Sequence, residues 1–411
     1  MGTLPKLLSL PKATRVQGTF NLPLSKSLTN RALVLNALYP DITLSGISSS
    51  ADSQFLVQSL QKDSDEQIYV GAGGTTLRFS LAYWATQPGK RKIIGGTDVL
   101  NSRIVAPLVE ALNALGGSIT YIGELGCAPL QVEGKSMKGG HLALGHLESS
   151  QFVSALMLIG PFLEEGLDLH WESVVSAPYL MMTAAMMRQA GFEVELKTNG
   201  VFIPARKTVA PVVLKIEPDW SALAFWCEAI ALSPESQLFF PGFTEKSTQG
   251  DCKVIHYFEP LGVGHSFTNG GIRLFHKRAL SPGLLTYNLV GEPDLAQALI
   301  LTMIAKRIPF EVNGLGTLRG KECDRINALE IQALTLGIEL ESTQNSLRCL
   351  SYPQEFTLPK VPYSSMEDHR VAMSLAPLSL NFPLTLTEPS VVAKSYPEFW
   401  EHWKSATSSK E

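Results

Sequence analysis

The chain has 411 residues, 45% of them hydrophobic and 18% charged, with a net charge of −4. That describes a soluble globular protein with room for two domains, and it excludes a basic face broad enough for nucleic acid. No apolar run spans a bilayer, the longest being Ala155–Leu163, and the five cysteines are scattered without a CxxC, so neither a disulfide framework nor a zinc site built on them is expected. The opening residues carry no h-region followed by small residues, so no secretory signal is expected and a reducing cytoplasm fits.

In chain order, a break near Thr14–Gly18 precedes the stretch Leu22–Leu38, LPLSKSLTNRALVLNAL. It opens polar and basic, then turns apolar at helical spacing through Leu28, Ala32, Leu35 and Leu38. Ser25 or Ser27 is placed to cap it. Lys26, Arg31 and free backbone N–H groups then meet at one helix start, a ready anion site.

The same design recurs, with a short polar opener and then an apolar helix. It appears at Gly71–Ala85 (GAGGTTLRFSLAYWA), Glu148–Gly160, Glu217–Leu232, Gly291–Ala305 and Met366–Leu380. Helices apolar nearly all round belong at the centre of a fold, and N-termini gathered toward one surface make an anion field. The cations beside the openers are Lys26, Arg31, Arg78, Arg103, Lys321, Arg325, Arg370 and Lys394. Gly71–Arg78 is a Gly-rich turn into a helix but not a P-loop. Asp294, ahead of a very apolar helix, is placed either to cap it or to act as a base.

A second pattern alternates with the first. A helix ends at a glycine and a period-two strand follows, at Gly116, Gly191, Gly262 and Gly337. Their spacings, 75, 71 and 75 by subtraction, predict a repeated α/β subdomain of roughly two helices and several strands. The domain change is expected near Ala210–Asp219 and a frayed tail at the end. The residues alone support a two-domain α/β enzyme acting on small, multiply anionic substrates.

The motifs LPLSKSLTNRALVL, GAGGTTLRF, NSRIVAPLVEAL, SSQFVSAL, SAPYLMMT, EPDLAQAL, LRGKECDR, DHRVAM and AKSYPEFW stand in this order from Leu22 to Trp400. In combination they resemble the 5-enolpyruvylshikimate-3-phosphate synthase family. The resemblance implies a two-domain inside-out α/β barrel, each domain holding three βαβαββ-type units. One domain would be residues 18–218, the other 1–17 with 219–411. It implies transfer of the enolpyruvyl group of phosphoenolpyruvate to the 5-hydroxyl of shikimate 3-phosphate, by addition and elimination, with no metal or organic cofactor. Neither nucleic acid nor membrane is an expected partner, and family members are usually monomers.

Residue by residue, the resemblance assigns shikimate 3-phosphate to Lys26, Ser27, Arg31, Ser149, Ser150, Gln151, Ser176, Tyr179, Asp294 and Lys321. It assigns phosphoenolpyruvate to Lys26, Gly74, Thr75, Arg103, Gln151, Arg325, Arg370 and Lys394. Asp294 matches the carboxylate that takes the 5-hydroxyl proton, and Glu322 the acid at the methylene carbon, with Lys26 its rival. The chain departs from the family pattern at Ala72, Ala177, Thr317, Gly320, Cys323 and Glu367. The sister enzyme, UDP-N-acetylglucosamine enolpyruvyl transferase, carries a reactive cysteine just ahead of the residue that Arg103 matches. Here that loop reads GGTDVLNSR. A catalytically silent ligand-binding homologue is the remaining alternative.

Overall fold

The computed structural model describes residues 6–61, 64, 66–147, 149–268, 270–278, 283–358 and 360–408. The expected domain limits at residues 1 and 411 and the opener residue Glu148 lie outside them. The chain divides into two compact units, Leu24–Ile216 and the pair Met1–Pro23 with Glu217–Glu411. Residues 18–23 go with the second unit because the strand Gln17–Thr19 pairs in parallel with Gln237–Pro241.

Three inner helices form the core of the unit 24–216: α1 (Lys26–Leu38), α2 (Gly74–Ala85) and α3 (Ser150–Ile159). In α2 every residue but Thr75 is buried, and in α3 every residue but Gln151. Such helices survive only wrapped by other elements, and here sheets and outer helices wrap them. In one sheet Gln67–Tyr69 runs parallel to Arg91–Gly95, which pairs antiparallel with Leu130–Glu133 and that with Ile119–Tyr121. In the next, Gly140–Leu147 runs parallel to Leu167–Val174, followed antiparallel by Gly200–Ile203 and Glu195–Lys197. Both read βαβαββ along the chain, with outer helices Ala106–Ala114 and Pro178–Gln189. The third copy has only the parallel pair Val212–Lys215 and Ile42–Ser45.

The other unit repeats this plan around α4 (Trp220–Leu232), α5 (Ala296–Ala305) and α6 (His369–Leu375). All of α6, and all but two residues of α4, are buried. The sheet of Leu285–Asn288, Phe310–Asn313, Ser346–Cys349 and Glu341–Ser342 has the same order of parallel and antiparallel pairs. So has the sheet of Gln17–Thr19, Gln237–Pro241, Gly271–His276 and Val263–Thr268. In that copy the whole unit 24–216 is inserted between the first strand and its helix α4. The remaining copy pairs Leu7–Leu10 antiparallel with Leu384–Thr387, beside which Tyr363 forms a parallel bridge to Leu386.

The four repeat glycines stand after the outer helices at φ of 102°, 90°, 95° and 78°. These are left-handed conformations that a side chain resists. Each precedes the edge strand of its sheet. Among the described residues, the six expected copies are therefore four complete four-stranded ones and two shortened ones. Among the described residues no helix is long and apolar enough to cross a membrane.

Candidate active site

In the unit 24–216, the polar openers of α1 and α2 are joined. Ser25, not Ser27, caps α1, its hydroxyl accepting from Leu28 N at 3.4 Å. Lys26 Nζ donates to Asp52 Oδ2 at 3.0 Å. Asp52 lies under the Gly-rich turn, where a Cβ added at Gly73 would meet its Oδ1 at 2.8 Å. A Cβ at Gly74 would meet Arg78 Nη1 at 2.7 Å and Arg103 Nη1 at 3.1 Å. The glycines are thus the space through which carboxylate and guanidinium groups approach the helix start. Arg78 donates to Gly74 O and Ile104 O, pinning the turn to the Arg103 loop. Burial, then the neighbouring Arg103 charge, lowers the Arg78 pKa to about 9.

Arg31 is buried at 2% exposure. It donates to Thr183 Oγ1 (2.7 Å), Ser27 O (2.8 Å), Ser154 Oγ (3.2 Å) and Tyr179 O (3.4 Å). Burial lowers its pKa to about 10, opposed by Tyr179. Its fork ties α1, α3 and the helix Pro178–Gln189 together behind Ser27 and Tyr179. Ser149 caps α3, accepting from Gln151 N at 3.3 Å. Gln151 Oε1 is buried with no hydrogen-bond partner among the described residues, a costly state unless something outside the chain supplies a donor. Ser176 holds φ of 58°, strained for a residue with a side chain, at the turn from Leu167–Val174 into Pro178–Gln189.

In the other unit the starts of α4, α5 and α6 converge. Asp294 sits in the turn Pro293–Leu295 ahead of α5 and does not cap it. Arg370 Nη2 reaches Asp294 Oδ2 at 2.7 Å, Arg325 Nη1 reaches Oδ1 at 3.2 Å, and Lys321 Nζ lies 3.8 Å from Oδ1. Glu322 accepts from Arg325 Nη2 at 2.9 Å and pairs with Lys394 Nζ at 2.5 Å. Arg325 is 2% exposed and also grips Asp368, from Nε at 2.8 Å and Nη2 at 3.2 Å. Burial opposes its charge, but Asp368, Glu322 and Asp294 outweigh burial, so its pKa is raised.

Three carboxylates at these openers lie outside the residues singled out from the sequence. Asp368 caps α6 through Arg370 N and is fully buried against Arg325. Its signal was the Asp-His-Arg run, whose acid could have been read as the partner of an arginine. Asp52 carried no signal beyond a helix start. Asp251 accepts from the Ser221 hydroxyl at the start of α4. Burial, then the nearby Asp294 carboxylate, raises its pKa to about 7, while the Ser221 bond works the other way.

Within each unit the openers bring cations and carboxylates together, as chemistry on multiply anionic molecules requires. The sequence profile of EPSP synthase (3-phosphoshikimate 1-carboxyvinyltransferase) matches residues 46–403. The chain belongs to the EPSP synthase family. A 3-phosphoshikimate 1-carboxyvinyltransferase of Bacteroides fragilis is 36% identical over 405 residues, covering 97% of each chain. One of Syntrophobacter fumaroxidans is 30% identical, covering 94% of this chain and 96% of the relative. The fold matches an EPSP synthase of Acinetobacter baumannii with a TM-score of 0.76 at 19% identity, over 98% of both chains. The sister transferase is not favoured. In this EPSP synthase family member the Arg103 loop meets buried Cys127, whose Sγ donates to Ser102 O at 3.5 Å.

Proposed function

We propose that the chain transfers the carboxyvinyl group of phosphoenolpyruvate to the 5-hydroxyl of shikimate 3-phosphate and releases phosphate. Family membership supports the reaction, and the Asp294 carboxylate held by Arg325, Arg370 and Lys321 is the observation that carries the chemistry. In the addition, Asp294 takes the 5-hydroxyl proton as the oxygen bonds to C2 of phosphoenolpyruvate. C3 gains a proton and becomes a methyl group. In the elimination, C3 returns a proton, the C2–O bond to phosphate breaks, and phosphate departs. Glu322, paired with Lys394, is assigned the proton at C3, with Lys26 as the alternative donor.

Lys26, Ser27, Ser149, Ser150, Gln151, Ser176 and Tyr179 are assigned to shikimate 3-phosphate, with Arg31 holding Ser27 and Tyr179 from behind. Gly74, Thr75, Arg103, Arg370 and Lys394 are assigned to phosphoenolpyruvate, with Arg325 setting Asp294 and Glu322. A monomer acting in the cytoplasm is the setting we infer. Five free cysteines are in keeping with it.

Phosphate release from phosphoenolpyruvate with shikimate 3-phosphate tests the reaction. Release with UDP-N-acetylglucosamine instead, or with neither acceptor, refutes it. Asp294→Asn should lower kcat by about 10²–10⁴-fold while shikimate 3-phosphate still binds. Turnover near wild type would remove Asp294 from the mechanism.

A further inference from the structure

The sheet whose strands lead into Ser149 and Ser176 carries a second cluster near its opposite end. Gly140–Leu147 and Leu167–Val174 are parallel neighbours, with His141 directly opposite Asp168. Period two puts His170 on the same face as Asp168. His141 Nδ1 lies 3.2 Å from Asp168 Oδ2, and His170 Nε2 lies 3.3 Å from Asp168 Oδ1. One ligand atom from each of the three residues lies within 4.8 Å of the others. Gly200 lies opposite His170 on the next strand, where a Cβ would meet the Leu169 carbonyl oxygen at 2.6 Å.

Zinc–nitrogen and zinc–oxygen bonds of about 2.0–2.2 Å place tetrahedral ligand atoms roughly 3.3–3.6 Å apart. Each histidine–carboxylate distance is close to that edge length, and since they run to opposite oxygens of Asp168, the carboxylate turns to offer one oxygen to the ion. We propose that His141, Asp168 and His170 form a binding site for one divalent transition-metal ion of the zinc class, its fourth position taken by water. Two imidazoles and one carboxylate favour zinc, nickel or copper over magnesium or calcium, which prefer all-oxygen sets. Lys197 Nζ, 3.5 Å from Asp168 Oδ1, is the cation that the metal displaces. The ion joins two strands side by side. His141 precedes Ser149, and Asp168 precedes Ser176, by eight residues each, or about 26 Å of extended chain at 3.3 Å per residue. The site is therefore separate from the reacting groups, and its effect is to staple the strand pair that leads to them.

Tag-free, chelator-stripped full-length protein titrated with zinc chloride in a calorimeter tests this. One ion per chain is expected, with no response to magnesium chloride. Cobalt(II) in place of zinc should give the strong visible absorption of a four-coordinate ion. His170→Ala and Asp168→Asn should each weaken zinc binding at least tenfold, with metal-free melting and turnover unchanged. Lys197→Ala should tighten it by removing the competing cation. Absence of one-to-one binding, or binding that neither His170→Ala nor Asp168→Asn weakens, overturns the proposal.

Discussion

Arg31 and Arg325 share a physical situation that their charge alone does not convey. Each is buried, and each spends its fork on protein groups from neighbouring elements. Arg325 leaves Asp368 uncompensated if removed, so Arg325→Met should cost about 3–5 kcal/mol of stability, measured by denaturant unfolding. A loss below about 1 kcal/mol would contradict its part as a buried counter-ion. Glu228 is the opposite case. It lies fully buried in α4, neither carboxylate oxygen has a hydrogen-bond partner among the described residues, and burial raises its pKa well above the usual range. The folded state therefore keeps a proton that the unfolded state releases. Its contribution is fully present below the unfolded pKa of about 4.5 and is lost as pH rises toward the folded one. Glu228→Met should raise the melting midpoint more at pH of about 8 than at about 5. Equal increments at both would show that its proton is not linked to folding.

At the scale of elements, the inner helices show how much was written locally. Their openers were legible because polar residues interrupt otherwise apolar runs. The structure leaves those positions, Lys26, Ser27, Thr75, Gln151 and Ser221, as the less buried residues of the first turns. The glycine spacing exposed the repeat for the same local reason, a left-handed residue after each outer helix. The partners were not legible. Asp52 meets Lys26 across 26 positions, Asp368 meets Arg325 across 43, and Arg370 meets Asp294 across 76. Those distances are spanned by tertiary packing, which no local pattern encodes. Nor did the spacing reveal that one copy in each unit is shortened. The turn before α2 gives an element-scale prediction. Gly74→Ala pushes a methyl against Arg78 and Arg103, so steady-state kinetics should show a raised KM for phosphoenolpyruvate with that for shikimate 3-phosphate little changed. Equal rises in both would mean that the turn acts on the fold rather than on the Arg103 loop.

For the molecule as a whole, the two units differ in how their chains are used. The unit 24–216 is continuous and has its own core, from Leu28 to Ile216. Excised, it should fold cooperatively by circular dichroism and bind shikimate 3-phosphate without turning it over. A molten product would show that its core needs the rest of the chain. The other unit closes only when distant ends meet, Leu7 with Thr387 and Gln17 with Gln237.

The insertion of one unit inside a repeat of the other has a consequence during synthesis. The strand Gln17–Thr19 leaves the ribosome 220 residues ahead of Gln237, its parallel partner, by subtraction. At about 5–20 residues per second, it waits roughly 11–44 s for that strand. The strand Leu7–Leu10 waits longer still, until Leu384–Thr387 has been made. Meanwhile the inserted unit can complete its own sheets. Nascent chains halted after residue 216 should therefore carry one finished body and a leading segment of unpaired strand, which is the stretch that a chaperone would meet first.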